Sequence, residues 1–138
     1  MKKLTLMIGL LLPLAGQAVT PLWLRDAKIS PDGKTIAFTY KGDIWTVATE
    51  GGQATRLTAT DDYETTPVWS PDSRSIAFAG DRAGNFDIYV VDANGGAPRR
   101  LTYNSASEVP EAFTPDGKSI VFSASIMDPA ESALFPTS

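Results

Sequence analysis

Apolar residues in this chain come in short clusters at regular intervals. Three of them, Ile36-Ala-Phe38, Ile76-Ala-Phe78 and Ile120-Val-Phe122, each follow a Pro-Asp pair. The prolines, Pro31, Pro71 and Pro115, are 40 and 44 residues apart. A second apolar segment follows twice, as Asp43-Ile-Trp-Thr-Val47 and Asp87-Ile-Tyr-Val-Val91. Then comes a Gly-Gly pair and a Leu-Thr ending, Gly51 to Thr58 and Gly95 to Thr102. The four extra residues of the second spacing lie in Ala79 to Phe86, between an apolar cluster and the next Asp. They predict a lengthened hairpin loop, where insertions are tolerated.

Each landmark has a structural reading. Ser-Pro-Asp-Gly predicts a tight turn, because Pro presets φ and Gly takes conformations that other residues resist. Ser73 stands where the other two units have Gly33 and Gly117, so a strained or different turn is expected there. The apolar clusters predict strands, and Gly42, Gly84-Asn85, Gly51-Gly52 and Asn94-Gly95-Gly96 predict the turns between them. Pro67 to Ser70 and Pro110 to Phe113 open the next units. Ile88 to Val91 is apolar on both faces, which requires cover above and below.

Four strands in a repeat of about 40–45 residues is the period of a propeller blade. The expected fold is therefore all-β: a partial β-propeller of two complete four-stranded blades plus part of a third. Blade 1 spans about residues 21–60, blade 2 about 61–104, and a partial blade 3 about 105–138. A β-sandwich also has many short strands, but it does not require a repeat with fixed landmarks. The third unit lacks an Asp-Ile-Tyr strand. After Phe122 it runs into Ser123-Ala-Ser-Ile-Met-Asp-Pro129 and ends at Ser138. Propellers typically have about 4–8 blades, so this segment, 19–138, reads as an incomplete ring. Open blade faces are expected, and Leu134-Phe135 is expected to need a partner surface from later sequence.

The first 18 residues follow another pattern. Lys2 and Lys3 precede an apolar run from Leu4 to Leu14, and small residues close it at Ala15 to Ala18. This predicts a secretory signal peptide over 1–18. A membrane anchor is the alternative, but the run is shorter than the ~18 residues needed to span, and Pro13 interrupts it. Export to the bacterial periplasm follows. The chain has no Cys, so lipidation of a Cys after the signal and disulfide stapling are both excluded.

Composition excludes several chemistries. Without Lys2 and Lys3, the twelve basic residues fall to ten against sixteen acidic ones. A negative chain does not suit nucleic acid, whose phosphates demand basic patches. Arg99-Arg100 is the one adjacent basic pair after the leader and reads as a solvated strand end. With no His and no Cys, neither a Ser-His-Asp triad nor a thiol nucleophile can form within the chain. Zinc sites built on those residues are excluded too. Gly95-Gly96 lies between strands and is read as a turn rather than a phosphate loop. No catalytic residue, metal ligand or cofactor is expected, and no binding residue can be named.

Carboxylates are the remaining candidates. Asp61, Asp62 and Glu64 form a cluster with oxygen ligands suited to Ca²⁺, or else a solvated inter-blade loop. Asp81 to Asp87 resembles a calcium loop but lacks its full spacing and terminal Glu. A hairpin tip explains it better. Asp32, Asp72 and Asp116 recur with the repeat, so a turn-capping role is expected. Trp45 and Tyr89 hold equivalent strand positions and are expected between blades.

These repeats, Ser-Pro-Asp-Gly-Lys-x-Ile-Ala-Phe and Asp-Ile-Tyr-Val with Gly-Gly and Arg-Leu-Thr, resemble the WD-like propeller repeats of TolB and of the tricorn protease family. The resemblance covers about Pro21 to Phe122. The repeats begin at Leu22-Trp23-Leu24, directly after the leader, whereas TolB-like proteins place a small domain first. That start and the departure after Phe122 favour the N-terminal propeller of a bacterial tricorn-like serine protease. The resemblance implies a non-catalytic role in substrate gating, channelling or protein interaction. Its partners would be the rest of its own parent, with further blades and PDZ-like and peptidase domains, and a peptide or protein ligand. A TolB-type binding scaffold is the alternative. The propeller of a prolyl-oligopeptidase-type enzyme is a third.

Overall fold

The computed structural model describes residues 23–125 and the backbone of 134–136. The expected signal peptide and Ile126-Met-Asp-Pro129 lie outside the described residues. Eleven strands and no helix occur among the described residues. Strands β1 (Arg25–Ile29), β2 (Thr35–Tyr40), β3 (Asp43–Ala48) and β4 (Thr55–Arg56) form one antiparallel sheet in sequence order. Strands β5 (Glu64–Trp69), β6 (Ser75–Gly80), β7 (Asp87–Asp92) and β8 (Arg99–Arg100) repeat it. A third sheet holds β9 (Glu108–Phe113), β10 (Ser119–Ala124) and β11 (Leu134–Pro136).

Local chemistry sets these boundaries. Lys41 and Gly42 both take positive φ, as a two-residue hairpin that follows strand twist requires. Gly33 and Gly117 have φ of 74° and 72°, and Ser73 adopts 61° at the same place. The turn is thus conserved in shape, and Ser73 is held in a left-handed conformation that disfavours a side chain. The first strand of each blade carries a bulge, which bends the strand and increases its twist. Asp26 and Thr66 absorb it at φ of 53° and 54°. The equivalent residue of blade 3 is Pro110, whose ring forbids positive φ, and the register shifts beside it between Val121 and Phe122.

The three sheets stack. The first strands lie side by side, β1 on β5 and β5 on β9, with the short fourth strands at the opposite edge. Blade 2 is covered on both faces. Ile76, Phe78, Tyr89 and Val91 pack with Ala37 and Ile44 of blade 1. Ala77 and Ile88, which alternate with them, pack with Ile120 and Phe122 of blade 3. Strand side chains point alternately to opposite faces, so the doubly apolar Ile88 to Val91 serves two cores. Trp45, the counterpart of Tyr89, is only half-buried, because no blade covers its face among the described residues. It packs edge-on to Tyr40 and donates its indole N–H to the Tyr40 carbonyl at 3.2 Å.

One expectation needs correction. Leu134-Phe135 was expected to wait for a later partner, but its backbone pairs with β10, Ile120 opposite Phe135 and Val121 opposite Leu134. It thus occupies the slot that β3 and β7 hold in the other blades. An exposed β10 edge has unpaired N–H and C=O groups, and any extended segment that reaches it satisfies them.

Candidate functional site

The recurrent aspartates sit in the turns. The Ser30, Ser70 and Thr114 hydroxyls donate to Asp32, Asp72 and Asp116, each at 2.6 Å. The same carboxylates accept from the backbone N–H of Lys34, Arg74 and Lys118 at 3.1 Å. These bonds, the hydroxyl first and the backbone N–H second, hold all three carboxyls below their ordinary value of 3.8. Their work is to close turns, as their recurrence with the repeat indicated.

Away from the turns, polar groups at the outer strands and blade junctions form a second repeating set. Asp43 pairs with Arg56 at 2.7 Å and Asp87 with Arg100 at 2.8 Å. The Thr58 and Thr102 hydroxyls accept from the Ile44 and Ile88 N–H, each at 2.9 Å. Glu64 and Glu108 open β5 and β9, and each donates its backbone N–H at 2.7 Å to the hairpin of the preceding blade, at Gly42 and Phe86. Both side chains are buried. Glu64 accepts from Thr58, Thr60 and Arg82, and Arg82 also lies over the Tyr89 ring at 4.7 Å. Glu108 accepts from Asn104 at 2.7 Å.

This arrangement revises two sequence readings. Asp61, Asp62 and Glu64 neither form a calcium cluster nor lie together in solvent. Glu64 turns inward, while Asp62 stands 3.7 Å from Arg82 on the outside. Among the described residues no group of three or more acidic side chains is placed to hold a metal. Arg100 is not a solvated strand end, since its guanidinium neutralises the buried Asp87. Asp81 lies in the hairpin tip, where its carboxylate accepts the Tyr63 N–H at 2.7 Å. Burial foremost raises the Tyr89 phenol above its ordinary value of 10.0, consistent with an inter-blade position. The repeated Asp, Arg, Thr and Glu were missed individually. The signal was present, because Asp43, Arg56, Thr58 and Glu64 recur as Asp87, Arg100, Thr102 and Glu108 with the same separations.

A groove of about 760 Å³ opens at the turn end of the second seam, with Pro71, Asp72, Val90, Arg99, Phe113 and Asp116 among its walls. The first seam is more tightly tied at this end. There the Asp32 N–H reaches the Ser73 hydroxyl at 3.1 Å, and the Trp69 indole N–H reaches the Lys28 carbonyl at 3.0 Å. Gly117 and Phe113 replace Ser73 and Trp69 in the second seam and offer neither side-chain donor nor acceptor. Apolar and charged side chains both line the groove, and it offers surface for an extended segment.

Comparison with known proteins agrees with this geometry. Residues 21–135 match the tricorn protease N-terminal beta propeller domain. An uncharacterized peptidase, YuxL of Bacillus subtilis, is 43% identical over 56 residues, which is 37% of this chain and 8% of the relative. Tricorn protease homolog 1 of Streptomyces coelicolor is 34% identical over 68 residues, 49% of this chain and 6% of the relative. The chain thus spans under a tenth of these curated relatives. Among solved structures, TolB of Agrobacterium tumefaciens superposes with a TM-score of 0.64 and 30% identity, over 72% of this chain and 39% of that one. The tricorn protease superposes with a TM-score of 0.61 over 80% of this chain and 12% of that one; at 22% identity it supports the fold alone. Stacked four-stranded blades, repeated seams and a match over residues 21–135 converge: the chain belongs to the tricorn protease N-terminal β-propeller family.

Proposed function

We propose that this propeller is a non-catalytic element of an exported tricorn-like peptidase, where it gates or channels peptide substrate. The observation that carries the reading is the family match over residues 21–135, joined to a chain without His or Cys. Such a chain supplies surface and passage, and hydrolysis belongs to other parts of a longer protein. The test is a full-length protein and a version lacking residues 21–135, compared on a short chromogenic peptide and on a folded protein. Gating predicts that the shortened version still cleaves the peptide and loses discrimination against the protein. Equal discrimination by both forms would reject it.

Export rests on Lys2, Lys3 and the apolar run to Ala18. N-terminal sequencing of periplasmic material should begin near Val19; recovery of intact Met1 in the cytoplasm would refute it.

A TolB-type binding scaffold is favoured by a different observation, the 30% identity to the Agrobacterium protein. Capture of an envelope lipoprotein by the full-length protein, with no peptidase activity, would establish this second reading over the first.

A further inference from the structure

The first seam has a second opening, at the end opposite the Pro-Asp turns. Trp23, Arg25, Thr39, Lys41, Gly42 and Tyr63 line a cavity of about 420 Å³ there, within the ~300–1,000 Å³ of small-molecule sites. We propose that this cavity binds a small oxyanion, a carboxylate or a phosphate, carried on a flat apolar group.

Three observations support the site. The first is charge. Arg56, Arg82 and Arg100 each pair with a carboxylate. Arg25 and Lys41 instead lie over rings, Arg25 at 5.9 Å from Trp23 and Lys41 at 5.5 Å from Tyr40. Asp26, next to Arg25, accepts from the Thr65 hydroxyl of blade 2, and the carboxylate of Glu64 is already neutralised by Arg82. Two cations without an acidic partner at one cavity wall are a strong anion attractant in a chain of net charge −4.

The second is a buried hydroxyl. Thr39 is almost fully buried, and its Oγ1 has no hydrogen-bond partner. Buried polar atoms are normally satisfied, and Thr39 lines the cavity, so its unused hydroxyl proton is available to an oxyanion that enters beside it. The equivalent position is Ala79 in blade 2, which pairs with Thr65 as Thr39 pairs with Arg25, and Ser123 in blade 3, whose hydroxyl donates to Glu111 at 3.0 Å, so of these three positions only Thr39 carries an unpartnered hydroxyl.

The third is shape. Blade 2 covers the corresponding region with its long hairpin, where Phe86 packs edge-on against Tyr63 at 6.3 Å. The two-residue hairpin of blade 1 leaves the space open. Gly42 keeps it so, since a Cβ there would stand 3.1 Å from the Tyr63 ring. The Trp23 and Tyr63 rings flank the cavity and suit a flat apolar group between them. The inference stands on this seam and does not depend on the gating role.

Calorimetric titration of the full-length protein with benzoate, phenyl phosphate and benzamide tests it. The three probes share the ring and differ in the group it carries. One or both anions should bind while benzamide does not, and the preferred anion identifies the ligand as carboxylate or phosphate. Arg25→Gln and Lys41→Gln, both exposed and outside every described ion pair, should each weaken binding about tenfold, the value of a hydrogen bond to a charged group. Thr39→Val should weaken it to a similar degree, with thermal melting confirming a folded protein. Failure of both anions to bind, equal binding of benzamide, or unchanged affinity in Arg25→Gln and Lys41→Gln would each overturn the proposal.

Discussion

At the scale of single residues, the difference between two ion pairs is one of burial. Arg82 is mostly covered and serves the fully buried Glu64, whereas Arg56 is nearly half exposed beside Asp43. Removing a partner from a buried charge leaves it uncompensated and costs about 3–5 kcal/mol; Asp43 is buried too, but its half-exposed Arg56 site admits water once truncated, which offsets part of that cost. Arg82→Ala should therefore shift urea unfolding more than Arg56→Ala. Equal shifts would mean that Glu64 finds another partner.

The turn aspartates predict an acid response. Their folded-state pKa values lie below the ordinary 3.8. Each contributes stability that is fully present above 3.8 and is lost as pH falls through the folded value. Stability from these groups should thus be flat from neutral pH down to about 4 and decline below it. Asp72→Asn should flatten that decline in an acid titration followed by circular dichroism. An unchanged acid limb would show that the hydroxyl bonds do not favour the ionised form.

At the scale of elements, position in the stack decides what a strand residue contributes. Phe78 of β6 is fully buried in the first seam, stacked on Tyr89 with ring centroids 5.8 Å apart. Val121 of β10 faces away from blade 2 and is 39% exposed. Phe78→Ala should cost about 3–5 kcal/mol. Val121→Ala, on a face without a neighbouring blade among the described residues, should cost roughly 0.5 kcal/mol or less. Both substitutions lie in second strands of their blades, so local propensity does not separate them. Chemical denaturation of the two variants measures the difference, and similar costs would argue that the face of Val121 is covered.

At the scale of the whole molecule, the open faces govern behaviour in solution. Trp23, Ile29, Tyr103 and Val121 are exposed large apolar residues, and the half-buried Trp45 and Val47 line a face with no described neighbour. Contiguous exposed apolar surface promotes association, and an unpaired sheet edge adds a template for pairing. The isolated 138-residue chain should elute as oligomers or prove poorly soluble in size-exclusion chromatography. A longer protein carrying further blades should elute at its monomer size. A compact monomer of the isolated chain would show that these surfaces close on themselves.

Much of this was legible along the chain. The spacing of Pro31, Pro71 and Pro115, the apolar clusters after them and the glycines between strands determined the blades. Hydrogen bonding within a hairpin and the conformational limits of Pro and Gly act over a few residues. The same local logic located the capping aspartates, and it identified Ser73 as the turn residue out of place. What only the tertiary structure decided is the surroundings of each side chain. Whether Glu64 faces water or Arg82, whether Arg100 is solvated or neutralises Asp87, and whether Thr39 finds a partner depend on how separate strands and loops pack within and between blades. The strand that completes the third sheet was hidden for the same reason, since Leu134-Phe135 matches no repeat landmark and pairs through backbone groups that every residue carries. Local conformation follows from short-range sterics, but the environment of a side chain follows from packing, and packing is a property of the stack.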